Sequence, residues 1–109
     1  MSARLRSDLW VAAYRKHLEI LNIPCMVVAK GQASSGAVMV KLNTLDGKAT
    51  ALQRSVQPDG TSGWMVVSEG DERDVDHSIS KQLNFDPDLW VLEVEDKAGR
   101  HLLDDPAFI

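Results

Sequence analysis

A chain of 109 residues, 44% hydrophobic and 26% charged, has the size and make-up of one globular domain spanning 1–109, which folds without needing a metal or a disulfide. Its net charge of −4 disfavours sequence-independent binding to nucleic acid, and no apolar run approaches the ~18 residues of a membrane span. The single cysteine, Cys25, excludes an intrachain disulfide, and no apolar leader follows the N-terminus, so the chain reads as a soluble cytoplasmic protein.

The first expected element is a helix. Ser7 or Asp8 can cap it, and Leu9 to Leu21 follow at helical spacing. On a wheel of about 100° per residue, Leu9, Ala13, Ile20, Trp10, Leu21, Tyr14 and Leu18 fill one broad arc expected to face the core. Arg15, Lys16, Glu19 and Asn22 fill the other side, and Pro24 ends the element. Cys25 to Ala29 is almost continuously apolar, which predicts a central strand.

Gly31-Gln32-Ala33-Ser34-Ser35-Gly36 has the two-glycine spacing of a phosphate loop but lacks the Lys-Ser/Thr of that motif. It also leads into a strand, so no helix N-terminus faces a phosphate, and nucleotide binding is rejected. The composition suits a mobile loop able to lie over a ligand or partner.

Ala37 to Thr44 alternates, with Val38, Val40 and Leu42 opposite Met39, Lys41 and Asn43. Asp46-Gly47 supplies a hairpin turn, Lys48 to Val56 returns, Pro58-Asp59-Gly60 turns again, and Trp64 to Ser68 gives a fourth strand. A second helix is expected over 71–84. Asp71, Glu72, Asp74 and Asp76 crowd its start, where the helix dipole favours negative charge, and Val75, Ile79 and Leu83 form one apolar seam. Asp86-Pro87 breaks it. Leu89 to Glu95 is the last long strand, 96–99 is a turn, and Arg100 to Leu103 is expected to pair back as a short edge strand. The order α-β-β-β-β-α-β predicts an α+β fold: a mainly antiparallel sheet of about five strands with two helices. It leaves open one parallel pair and whether the helices share a face.

Charge is unevenly divided. Residues 1–58 carry a balance of +5 and residues 59–109 a balance of −9. Local neutralisation within the fold accounts for this, or else an acidic face meets a basic partner or the basic face of a second copy.

The run Phe85-Asp86-Pro87-Asp88-Leu89-Trp90-Val91-Leu92-Glu93-Val94-Glu95-Asp96-Lys97-Ala98-Gly99-Arg100-His101 resembles the C-terminal hallmark of a small bacterial family, domain of unknown function 1491. Leu9-Trp10-Val11-Ala12-Ala13 and Gly36-Ala37-Val38-Met39-Val40-Lys41 are similar to it as well. The resemblance spans nearly the whole chain. One departure is Gln32, where the family pattern suggests an acidic residue after Gly31. The resemblance implies a short single-domain bacterial protein and supplies no activity, cofactor or catalytic residue.

Candidate site residues are therefore weighed by their chemistry. Asp86 and Asp88 can bind a hard cation or act as a base. The simpler reading is an Asx turn at Asp86, a bend fixed by Pro87, and Trp90 packed in the core. Glu93 and Glu95 share one strand face and can form a carboxylate pair, but a solvated face, or pairing with Lys or Arg of a neighbouring strand, explains them as well. His17 falls within the apolar arc of the first helix, as a base, a pH-sensing group or a core histidine with one hydrogen bond. His77, His101 and Cys25 have no metal-ligand spacing. Cys25 reads as a buried small hydrophobe.

No catalytic residue, metal site or cofactor is assigned. The candidate site is His17, Asp86, Asp88, Trp90, Glu93 and Glu95. The expected function is a non-catalytic protein-interaction module, motivated by the charge split and by the apolar tail Ala107-Phe108-Ile109, with another protein or a second copy as partner and neither nucleic acid nor membrane. The alternative is a small-molecule- or metal-binding domain, or a small enzyme, using the carboxylates and His17.

Overall fold

A computed structural model describes residues 5–56 and 58–108. The elements are α1 (Ser7–Ile20), β1 (Cys25–Ala29), β2 (Val38–Asn43), β3 (Lys48–Val56), β4 (Ser62–Asp71), α2 (Glu72–Phe85), β5 (Trp90–Glu95) and a short 3-10 turn, η1 (Pro106–Phe108). They form the expected α+β fold of two helices and five strands. The strand order is β1-β5-β2-β3-β4. All neighbours are antiparallel except β5 and β2, which run parallel in a register from Val38 opposite Trp90 to Asn43 opposite Glu95. Parallel neighbours need a crossover, and β5 reaches its place beside β2 through α2. Turn chemistry follows the sequence: Gly47 and Gly60, in the two hairpin turns, take φ of 84° and 88°, where glycine pays no Cβ penalty.

The helices cover opposite faces of the sheet. On one face, Trp10, Val11, Tyr14 and Leu18 of α1 pack with Val38, Val40 and Leu42 of β2, Leu52 of β3, and Trp90, Leu92 and Val94 of β5. The C-terminal segment closes this core. Leu103 and Phe108 are buried in it, the Tyr14 hydroxyl donates to the His101 carbonyl at 2.6 Å, and the Trp64 indole N–H donates to the Phe108 carbonyl at 2.8 Å. On the other face, Val75 and Ile79 of α2 pack with Met39, Ala49, Ala51 and Val91.

Four sequence expectations change. β1 is an edge strand, not a central one, and its apolar run is only half covered, with Met26 and Val28 in solvent. The buried stripe of α1 is narrower than the arc and turned away from Leu9, Ala13 and Ile20, all of which are exposed along with Leu21. Val11, assigned to neither side of the wheel, is buried. Arg100 to Leu103 forms no strand, because the chain there bends into the α1-side core with Leu102 at φ 62°. Finally, the tail is not a free apolar segment: Phe108 lies in the core, and Ile109 falls outside the described residues.

Candidate functional site

The Asp-Pro-Asp-Leu-Trp joint and the 31–36 loop form one interlocked unit. Asp86 makes the expected Asx turn: its carboxylate accepts from the Asp88 backbone N–H at 3.1 Å, and its carbonyl accepts from the Leu89 N–H at 3.2 Å. Trp90 is buried, and its indole N–H donates to the Gln32 carbonyl at 2.8 Å. The Asp88 carbonyl accepts from the Gln32 N–H at 2.9 Å and rests against both Gly31 and Gly36, where any Cβ would overlap it. Those glycines therefore serve close backbone packing rather than a phosphate.

The loop is also pinned from within and to α1. Gln32 Oε1 accepts from the Ser35 N–H at 2.6 Å, and its Nε2 donates to the Ser34 hydroxyl at 2.8 Å. An amide thus does here what a carboxylate can do only in part, accepting and donating at once. The Ala33 and Ser34 carbonyls accept from the N–H groups of Asp8 and Ser7, at 2.9 and 3.3 Å, and so cap α1. Neither Ser7 nor Asp8 caps the helix in the expected way. The Ser7 hydroxyl instead donates to the Gly36 carbonyl at 2.6 Å.

On the α2 face, Glu93 joins a polar cluster centred on Lys41. The β2–β5 register sets Lys41 opposite Glu93, and the first turns of α2 bring Glu72 and Asp76 over the same spot. Lys41 is only 4% exposed. Its ammonium donates to Glu72 at 2.7 Å and Asp76 at 2.6 Å and lies 3.5 Å from Glu93. The Asn43 amide donates to both Glu72 and Glu93 at 3.1 Å, and its oxygen accepts from the Leu45 N–H at 2.8 Å. Burial alone would lower the Lys41 pKa. The hydrogen bonds to Asp76 and Glu72 and the charge of Glu93 outweigh it, so the amine is held charged. A lysine held charged is neither nucleophile nor base, and the cluster ties α2 to the sheet centre.

The six candidate residues are not brought together. His17 stands exposed on α1, its Nδ1 3.0 Å from the Ala13 carbonyl and its ring 5.0 Å from that of Phe108. It is no core histidine, because it sits at the edge of the buried stripe rather than inside it. Glu93 and Glu95 project from the opposite face of the sheet, and Asp88 is exposed at the α2–β5 joint. Burial pushes the Cys25 thiol up against the opposing pull of Arg15, which leaves it less reactive than a free thiol. Among the described residues, no group of three or more His, Cys, Asp or Glu is arranged to hold a metal, and no helix is long and apolar enough to cross a membrane. Sequence reasoning missed Lys41, Asn43, Glu72 and Asp76 as a unit. The available signal was a lysine and an asparagine on the strand face shared with Met39, facing a helix with an acidic start.

Two clefts flank α1. A wide, open one of about 650 Å³ runs between α1 and β1 and is lined by Arg15, Lys16, Glu19, Ile23 and Cys25 among others. A more enclosed one of about 360 Å³ lies at the start of α1, between Trp10, the 34–38 segment and Arg54.

Three comparisons bear on what the chain is similar to. The family model described as "Protein of unknown function (DUF1491)" matches residues 5–104. A crystal structure of a DUF1491 family protein from Caulobacter crescentus CB15 is 37% identical with a TM-score of 0.86, over 94% of this chain and 98% of that one. An NMR structure of a DUF1491 family protein from the same organism is 36% identical with a TM-score of 0.83, over 96% and 97%. A solution structure of a protein from A. tumefaciens shares the fold at 22% identity and a TM-score of 0.72, over 85% and 86%. The search of curated proteins gives no match. With a family model that covers nearly all of it, the chain belongs to the DUF1491 family of proteins of unknown function.

Proposed function

We propose that the chain is a non-catalytic protein-interaction module of the bacterial cytoplasm, and that α1 and the edge strand β1 carry its contact surfaces. One observation carries this reading: large apolar residues stand in solvent along both elements. Leu9 and Ile20 are 52% and 67% exposed on the outer side of α1, Leu21 follows, and Met26 and Val28 are 49% and 53% exposed on the adjoining strand. These are five of the eleven large apolar residues exposed among the described residues. Cys25 and Val27 pack into the α1-side core, so Met26 and Val28 stand on the other face of the sheet, and the exposed apolar residues form two patches, one on the outer side of α1 and one on β1, that a partner can cover. β1 also has a free edge with no charged residue in its five positions, so it lacks one common protection against strand addition.

Arg15, Lys16 and Lys30 border these patches, so a matching partner carries apolar residues interleaved with carboxylates. A second copy offers such a surface on its acidic half, where Asp74 and Asp76 of α2 are exposed and Phe85 ends the helix in solvent. Size-exclusion chromatography with light scattering, at salt concentrations from about 0.05 to 0.5 M, tests this. Self-association at low salt that weakens at high salt, and is lost in Ile20→Ser/Met26→Ser, is expected. A monomer at every salt and protein concentration refutes association with a second copy.

A further inference from the structure

We infer that β1 pairs with β1 of a second copy, antiparallel and about a two-fold axis at Met26, joining the two five-stranded sheets into one. The inference rests on the reading of β1 as a contact surface and names what covers that strand.

The ladder with β5 fixes which backbone groups are left to pair. The Glu95 N–H donates to the Pro24 carbonyl at 3.0 Å, and the register continues with Cys25 opposite Val94, Met26 opposite Glu93 and Val27 opposite Leu92. Hydrogen-bonded and non-hydrogen-bonded pairs alternate along an antiparallel ladder. Met26 therefore bonds inward to β5, while Cys25 and Val27 turn their N–H and C=O groups outward. Among the described residues nothing bonds these four groups.

Outward-facing residues on either side of an inward-facing one make a self-complementary edge. With a two-fold axis at Met26, Cys25 of each copy exchanges both backbone bonds with Val27 of the other. The two Met26 residues form the close, non-hydrogen-bonded pair between them. The register shift between Val27 and Ala29 bends the strand and limits the pairing to residues 25–27. The opposite edge of the sheet, β4, carries Glu69 and Asp71, charges of the kind that guard an edge, and β1 carries none.

Both faces of the joined edge suit a second copy. On one face α2 lies over β3 and β4, so Met26 packs against its counterpart with Val28 beside it. On the other face Ala12, Arg15, Lys16 and Glu19 of α1 line the open cleft beside Cys25. Asp8 falls on the same stripe, four positions before Ala12. The Leu18 carbonyl accepts from the Ile23 N–H and Arg15 reaches Cys25, so α1 and β1 run in opposite directions. One strand residue spans about two helix residues, which sets Met26 level with Ala12 and Ala13. The axis then passes beside Ala12, a small exposed residue, and carries Asp8 toward Arg15 and Lys16 of the other copy. The in-chain pairs Arg6–Asp8 and Lys16–Glu19 are exposed and weak, so they do not hold these charges back. Opposite charges on one helix thus match those of its own antiparallel copy.

The test uses the full chain carrying Cys25→Ser and Met26→Cys. In a non-hydrogen-bonded pair the two Cα atoms lie about 4.5 Å apart, within disulfide reach. Oxidation should cross-link this variant into a covalent dimer at least about tenfold faster than Cys25→Ser with Phe85→Cys, which reports chance collision at an exposed position. In a second arm, Met26→Lys and Met26→Glu should each be monomeric by light scattering, because like charges then face each other, and an equimolar mixture should restore the dimer. Cross-linking no faster than the Phe85→Cys control overturns the inference, and so does a mixture that stays monomeric. If the parent chain is dimeric while both arms fail, this pairing falls and contact through the acidic half stands. A parent chain that is monomeric up to about 1 mM refutes both.

Discussion

Replacing Lys41 with methionine tests the account of the polar cluster. The substitution keeps an unbranched side chain of similar length, so little packing is lost. What is lost is the positive charge among Glu72, Asp76 and Glu93. Breaking a fully buried pair costs about 3–5 kcal/mol, and breaking an exposed one about 0–1 kcal/mol. Here Lys41 is 5% exposed at its side chain and Glu93 16%, while Glu72 and Asp76 are 36% and 54% exposed. Water screens the two α2 carboxylates after the change but screens Glu93 much less. The expected cost therefore falls between the limits, at about 2 kcal/mol. Urea unfolding at neutral pH, followed by tryptophan fluorescence, should show the midpoint falling by about 1 M, given a slope of about 2 kcal/mol/M. Glu93→Gln in the Lys41→Met background should recover part of the loss, because it removes the least screened of the orphaned charges.

The sign with pH is also fixed. The folded-state pKa of Lys41 is raised above the ordinary 10.5, so its contribution is fully present below 10.5 and is lost progressively as pH rises from there through the folded value. The penalty of Lys41→Met should accordingly shrink above pH 10.5. A midpoint within about 0.2 M of the parent at neutral pH would refute the reasoning.

Gly36→Ala should cost about 2–3 kcal/mol by thermal or urea unfolding, because the added Cβ meets the Asp88 carbonyl and lies 2.7 Å from the Gln32 carbonyl, both of them backbone; an unchanged midpoint would show that the interlocked joint yields freely. Tyr14→Phe removes the donor to the His101 carbonyl and should cost about 1 kcal/mol, with faster amide exchange from Leu103 to Phe108 as the specific readout. Asp96 is held below the ordinary carboxylate value by the Arg100 side chain and backbone N–H. Its contribution is present above the unfolded value of 3.8 and is lost as pH falls through the lower folded value. Arg100→Ala should move the Asp96 titration, followed by NMR, back toward 3.8, and an unmoved titration would mean that the pairing is not formed in solution.

Turns and strand faces were legible in the sequence because they depend on neighbours two to four residues apart. The Asp46-Gly47 and Pro58-Asp59-Gly60 turns, the break at Asp86-Pro87, and the division of β5 into Trp90, Leu92 and Val94 against Glu93 and Glu95 all follow from such short-range rules. The orientation of α1 was not legible, because its apolar arc is broader than the stripe that the sheet covers. Leu9, Ala13 and Ile20 are as apolar as the residues that are buried, and only the position of the sheet selects Trp10, Val11, Tyr14 and Leu18. The edge position of β1 was hidden for the same reason: a continuous apolar run suits a buried strand and also an edge that a partner covers.

By itself, then, the amino-acid order determined the α+β class, the order of the main elements, the Asx turn at Asp86 and the family. Only the tertiary structure decided that β5 lies between β1 and β2 and that the helices take opposite faces. It alone separated His17 from Glu93 by the thickness of the sheet and gave Glu93 to Lys41 instead. The physical reason is range: local propensity acts through the backbone over a few residues. Which strand neighbours which, and which charges meet, depends on contacts between segments some 30 to 50 positions apart, such as Lys41 with Glu72 and Asn43 with Glu93.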